Sequence, residues 1–185
     1  MIEAASRLFS RQGYKSTTMR GIVDEAGAPW GSVHHHWPGG KEQLGVAAVQ
    51  FGDQRLRGAI AHCIGKSPTP AGAVTMYLGM VANLLETSGY EEGCPVTTVA
   101  LEVASDGTPV TEACAAAFDA WRALWTGAFR SAGVPPKRAR ELGTTVVSLI
   151  EGALILSRLS QNTAPLKLAA ETVRVLVDSE LSTAT

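Results

Sequence analysis

An all-α fold is predicted for these 185 residues by three observations. Apolar residues recur at threes and fours almost throughout, proline and glycine clusters cut the chain at helix-length intervals, and no alternating strand pattern or internal repeat intervenes. About nine helices are expected: three short ones up to residue 44, then six more from Lys41 onward.

The opening Met1-Ile2-Glu3-Ala4-Ala5-Ser6-Arg7 reads as an amphipathic helix, not a signal peptide. A second helix is expected from about Thr18 to Ala26, because Thr17 and Thr18 offer hydroxyls to its first N–H groups and Gly27 offers a left-handed exit. Its apolar stripe is Met19, Ile22, Val23 and Ala26, with Arg20, Asp24 and Glu25 opposite. Ala28-Pro29 then allows a restart near Trp30, since proline suits a helix's first turn. At about 100° per residue and with Val33 inward, Trp37, Trp30 and His36 fall within about 60° of Val33. Gly31, Ser32, His34 and His35 fill the outward half, which is short, polar and uncharged. Pro38-Gly39-Gly40 ends this third helix and Lys41 begins the fourth. Two short helices about a glycine turn are how a small protein presents one helix to the major groove of DNA.

At these residues the chain resembles the TetR family of bacterial transcriptional regulators. The resemblance runs from about Ile2 to Leu44: Ala4, Ala5, Leu8 and Phe9, then Gly13-Tyr14, Thr17-Thr18, Ile22 and Ala26-Gly27, then Gly31-Ser32-Val33-His34-His35-His36-Trp37-Pro38 and Lys41-Glu42-Gln43-Leu44. The Pro38-to-Leu44 run, with Gly93-Cys94-Pro95-Val96 and Ala100-Leu101-Glu102, is similar to an LmrA/YxaF-like subgroup. The resemblance implies a helix-turn-helix domain over residues 1–44, with the motif itself at about 18–37, and a helical effector-binding and dimerisation domain over 45–185. It implies DNA contacts from Thr17, Thr18, Arg20, Pro29, Trp30, Gly31, Ser32, His34, His35 and Lys41. The chain departs from the family at Pro29 and Trp30, where a small polar or cationic residue is usual, and at His34, where a tyrosine is usual. The sequence also starts inside the first helix, so either its start lies upstream or it grips the DNA backbone with fewer contacts.

Composition excludes several classes. With 45% hydrophobic and 18% charged residues the chain is globular rather than disordered. No apolar run approaches the roughly 20 residues that span a bilayer. Cys63, Cys94 and Cys114 are odd in number and scattered, suiting reduced thiols and a cytoplasmic location. The formal net charge of −1 divides as +1 over residues 1–44 and −2 beyond, a slight asymmetry that leaves binding to lean on backbone amides as well as cations. His34-His35-His36 is no metal site, because consecutive helical residues diverge by about 100°. No catalytic constellation stands out, and neither cofactor nor metal is expected.

Beyond Lys41 the breaks at Ser67-Pro68-Thr69-Pro70, Ser88-Gly89, Asp106-Gly107-Thr108-Pro109, Gly133-Val134-Pro135-Pro136 and Asn162 to Pro165 delimit helices near 41–65, 71–87, 95–104, 109–132, 136–160 and 165–181. In the 109–132 helix, Val110, Ala113, Cys114, Ala117, Phe118, Trp121, Leu124, Trp125, Ala128 and Phe129 make a broad aromatic face. Such a face is core, or else Phe118, Trp121 and Trp125 also line an effector pocket with Met76, Met80, Leu84, Cys94 and Val96. Cys94 itself reads as a buried structural thiol or a redox switch. Leu142, Val146, Leu149, Ile150, Ala153 and Leu154 form one stripe, with Val147, Ile155, Leu156 and Leu159 on other faces, and Val173, Leu176 and Val177 match it. This pattern predicts a two-fold dimer through a four-helix bundle, unless the chain's own core covers the stripe.

The expected function is DNA-binding transcriptional regulation: a homodimeric repressor on a palindromic operator of double-stranded DNA, released by a small hydrophobic effector. No membrane partner is expected. The rival reading is a helical protein-interaction module, which would leave Thr17 to Lys41 without a purpose.

Overall fold

Proline opens four of the helices at their first residue, where its missing N–H and fixed φ do no harm. The structure, a computed structural model, describes residues 1–182, and among them lie nine α-helices and no strand. They are α1 (Ile2–Gln12), α2 (Met19–Glu25), α3 (Ser32–His36), α4 (Gly40–Lys66), α5 (Pro70–Thr87), α6 (Pro95–Val103), α7 (Pro109–Ser131), α8 (Pro136–Ser160) and α9 (Ala164–Ser182). Thr69 caps α5 by accepting the Gly72 N–H at 3.1 Å. Every helix after α3 begins and ends within two residues of its expected boundary.

The chain divides into two compact units, Met1–Arg55 with Glu92–Ala117, and Leu56–Glu91 with Phe118–Thr185. Both α4 and α7 contribute to each unit. In the first, α1 packs on α2 and α6 over a core that includes Phe9, Ile22, Val23, Val33, Leu44, Val49, Val99 and Val103. Phe9 meets Tyr14 edge to face at 5.3 Å.

In the second unit α9 packs against both α5 and α8. Its core holds Val74, Leu78, Leu85, Trp125, Phe129, Leu166 and Val173. Gly143 lets α8 lie tight on α7, since a Cβ there would stand 2.9 Å from the Arg122 carbonyl oxygen. The sequence shows no long apolar run, yet α8 has the length and mean hydropathy (1.5 over 18 residues) of a membrane span, with 44% of that window buried in the chain. A core helix passes the same test.

One expectation is corrected here. Leu142, Val146, Ile150, Ala153, Leu154, Val173 and Val177, assigned to a subunit interface, are all buried within the chain itself, and Leu149 and Leu176 are half-buried. The reason is the packing of α8 and α9 on each other and on α5, which turns that stripe inward. What remains outside is Ile155, Leu156 and Leu159 on α8 and Leu168 and Val175 on α9, from 42% to 79% exposed.

Candidate nucleic-acid interface

Helix α2 starts where the Thr18 hydroxyl accepts the Gly21 N–H at 3.0 Å. Ile22 and Val23 anchor it in the core and leave Arg20, Asp24 and Glu25 exposed. Gly27 turns the chain with φ of 58°, a left-handed conformation that a side chain would strain. The next segment winds tightly: the Ser32 N–H donates to the Pro29 carbonyl at 3.0 Å, and the Val33 N–H to that of Trp30 at 3.1 Å. These three-residue bonds hold Pro29 to Gly31 as a turn, so α3 proper begins at Ser32, later than expected.

A single side chain, Val33, fixes α3 to the core. His34 and His35 are exposed, as are Pro29 and Gly31, and Ser32 is half-exposed with its hydroxyl donating to the Pro29 carbonyl at 2.7 Å. Trp30 and His36, expected on the inward side with Val33, are also exposed, Trp30 at 51%. One turn of helix preceded by a tight turn gives only one residue access to the core, and Trp37 is merely half-buried. Among the described residues no three His, Cys, Asp or Glu side chains are placed to hold a metal.

Thr17, expected at the DNA, is fully buried. Its hydroxyl donates to the Gly13 carbonyl at 2.6 Å and accepts from Gln12 Nε2 at 3.2 Å, closing the turn after α1. Lys41 is also engaged within the fold. Its ammonium lies 4.4 Å from the centre of the Tyr14 ring and donates to the Lys15 carbonyl at 3.4 Å. Burial pulls its pKa down, against the opposing pull of Glu102.

The remaining cations of the helix-turn-helix differ in availability. Arg7 pairs with Glu25 at 3.0 Å, Arg11 with Glu92 at 3.0 Å and Lys15 with Asp106 at 3.2 Å, whereas Arg20 makes no ion pair among the described residues. Three partners that sequence reasoning missed, Glu92, Glu102 and Asp106, flank or belong to α6: Glu92 holds Arg11 of α1, and the other two hold Lys15 in the turn after it. The Glu102 carboxylate also accepts the Lys15 N–H at 2.5 Å, and it occupies the space where a Cβ on Gly13 would stand. The Ala100-Leu101-Glu102 run was visible in the sequence, but nothing in its spacing names a partner 87 residues away.

The residues expected around an effector divide between the units. Cys94 and Val96 are buried in the first, where the Cys94 sulfur accepts the Thr97 N–H at 3.4 Å and caps α6. In the second, Trp121 and Trp125 are buried and Phe118 is half-buried. Phe118 meets Trp121 at 5.0 Å, and Trp125 meets Tyr77, a residue not foreseen, at 6.0 Å. The Trp125 indole N–H is buried with no acceptor among the described residues. Met76, Met80 and Leu84 share one accessible side of α5, and Met80 also meets the Cys63 thiol at 3.6 Å.

This is the geometry of a helix-turn-helix regulator, one short helix held out by one apolar anchor and joined to a larger helical unit. Residues 1–48 match the family model for bacterial regulatory proteins of the tetR family, and residues 70–172 match the C-terminal domain of LmrA/YxaF-like transcriptional regulators. The chain belongs to the TetR family of transcriptional regulators, in its LmrA/YxaF-like branch. It is 36% identical to the regulator LmrA of Bacillus subtilis over 90% of this chain and 88% of that one. Identity to YxaF of the same organism is 34%, over 96% of this chain and 93% of that one. A TetR regulator from Legionella pneumophila shares the fold with a TM-score of 0.84 at 18% identity, covering 95% of this chain and 94% of that one. The protein is a DNA-binding transcriptional regulator and not an enzyme.

Proposed function

We propose that the protein is a cytoplasmic homodimeric repressor that grips a palindromic operator with α3 in the major groove and lets go when a small hydrophobic effector binds the C-terminal unit. The observation that carries this reading is the exposed His34-His35 face on a helix fixed by Val33 alone. Short polar donors and acceptors with Gly31 beside them suit base edges. Thr18 and Arg20 are the expected phosphate contacts, because Arg20 keeps its charge unspent.

Two recognition helices need two subunits about 34 Å apart. The outward faces of α8 and α9 supply the surface for pairing: Ile155, Leu156 and Leu159 run along one helix, Leu168 and Val175 along the other. Gly152, exposed with nothing within 4 Å of a Cβ position, leaves room for a partner helix to come close. For the effector, the aromatic residues Phe118, Trp121, Trp125 and Tyr77 favour an apolar or planar molecule. Fluorescence anisotropy against intergenic fragments flanking the gene tests the reading, which predicts one fragment bound far above random duplex. Equal binding to every duplex overturns it.

A further inference from the structure

Trp30 is among the residues expected at the DNA, and its exposed apolar ring bears on what it contacts there. It is a large apolar ring, 51% exposed, at the leading end of the helix assigned to the groove. Gly31 has right-handed helical angles, φ −61° and ψ −22°, and the Val33 N–H bonds back to the Trp30 carbonyl. Trp30 therefore stands one tight turn ahead of Val33, just before α3, with its ring left in solvent at the end of the helix assigned to the groove. It also forms one wall of a cleft whose other lining residues are Arg20, Val23, Asp24 and Ala28. Val23 and Ala28 make that cleft partly apolar. The exposed Asp24 carboxylate opposes a phosphate there, while Arg20 on the same helix can hold a phosphate beyond it.

Base edges in the major groove present donors, acceptors and a single apolar group, the 5-methyl of thymine. An indole face entering the groove loses water, and only that methyl returns an apolar contact. We infer that Trp30 is a specificity-determining residue that reads a thymine 5-methyl in each operator half-site, seating it against the indole at the mouth of the Arg20–Trp30 cleft. The inference rests on α3 as the groove helix, and the experiment separates the two claims.

Duplexes are selected from a random pool by the wild-type dimer, and each thymine of the best sequence is then replaced singly by deoxyuridine, which removes only the methyl. Trp30→Ala and Trp30→Leu are measured on the same set, with melting by circular dichroism as a check on folding. One thymine per half-site is expected to lose about fourfold in affinity on replacement, the worth of one buried methyl. Trp30→Ala should bind thymine and deoxyuridine forms equally, and Trp30→Leu should keep part of the preference. The inference is overturned if wild type tolerates every replacement or if Trp30→Ala keeps the thymine preference. It is overturned equally if Trp30→Ala weakens binding to selected and random duplexes by one common factor, the mark of a backbone contact. A pool that yields no preferred duplex sinks the groove assignment along with it.

Discussion

Thr17 and Thr18 stand side by side with the same side chain, and burial separates their roles. Thr18 is exposed and caps α2, whereas Thr17 is closed off with its hydroxyl bonded to the backbone of Gly13. Thr17→Val keeps the shape and removes those bonds, so it should cost about 1–3 kcal/mol of stability in denaturant unfolding. Operator affinity, measured where the variant remains folded, should stay unchanged. Sequence spacing located both threonines at the helix start but could not say which faced inward, because a single register step decides it. The cysteines were more legible. All three are buried cysteines outside any disulfide among the described residues, and the odd, scattered placement had pointed to reduced thiols. Burial pushes the Cys114 thiol from 9.0 up to about 11, so the folded state holds its proton where the unfolded chain has lost it. That contribution to stability is complete below about 9 and is lost as pH rises toward about 11. Denaturant melts across this window should show stability falling, and iodoacetamide should leave Cys114 unmodified in the native protein at neutral pH.

The long helices were readable because proline and glycine mark their ends, and Pro70, Pro95, Pro109 and Pro136 fall at the first residue of α5 to α8. Helix α3 was not readable to the same degree. Its expected phase assumed helix from Trp30, while the bonds from Ser32 to Pro29 and Val33 to Trp30 make a tighter turn that frees Trp30 and His36 from the core. Helix α8 was legible as apolar on several faces, but periodicity cannot tell which face the chain itself covers. Contact with α9 and α5 decides that, and it buries the Leu142–Val146–Ile150 stripe. Gly143 marks where α8 meets α7 most closely. Gly143→Ala gains up to about 1 kcal/mol of helix propensity, but its methyl meets the Arg122 carbonyl and the Thr126 side chain. Overpacking of this kind costs about 1–3 kcal/mol, so a net loss of stability is expected in thermal melts.

At the scale of the whole molecule, the proposed function requires two copies, and the accessible leucines of α8 are where that proposed pairing should break. Leu156→Glu combined with Leu159→Glu should yield monomers by light scattering without unfolding the chain, since both side chains already face solvent at 57% and 79%. Operator affinity should fall with the loss of the second recognition helix. A variant that remains dimeric would move the interface elsewhere. Arg11 of α1 bonds to Glu92, and Lys15, in the turn after α1, bonds to Glu102 and Asp106, so these contacts hold α6 and its flanks to the start of the helix-turn-helix. If an effector releases the operator as proposed, ligand and operator weaken each other's binding by the same factor.

The most direct test is competition anisotropy on the duplex selected by the wild-type protein, comparing wild type with His34→Ala combined with His35→Ala. Wild type should prefer that duplex to random DNA by about a thousandfold or more, as specific binders do. The double variant should remain a folded dimer and lose most of that preference. A variant that keeps the preference would contradict the assignment of α3 as the helix that reads DNA.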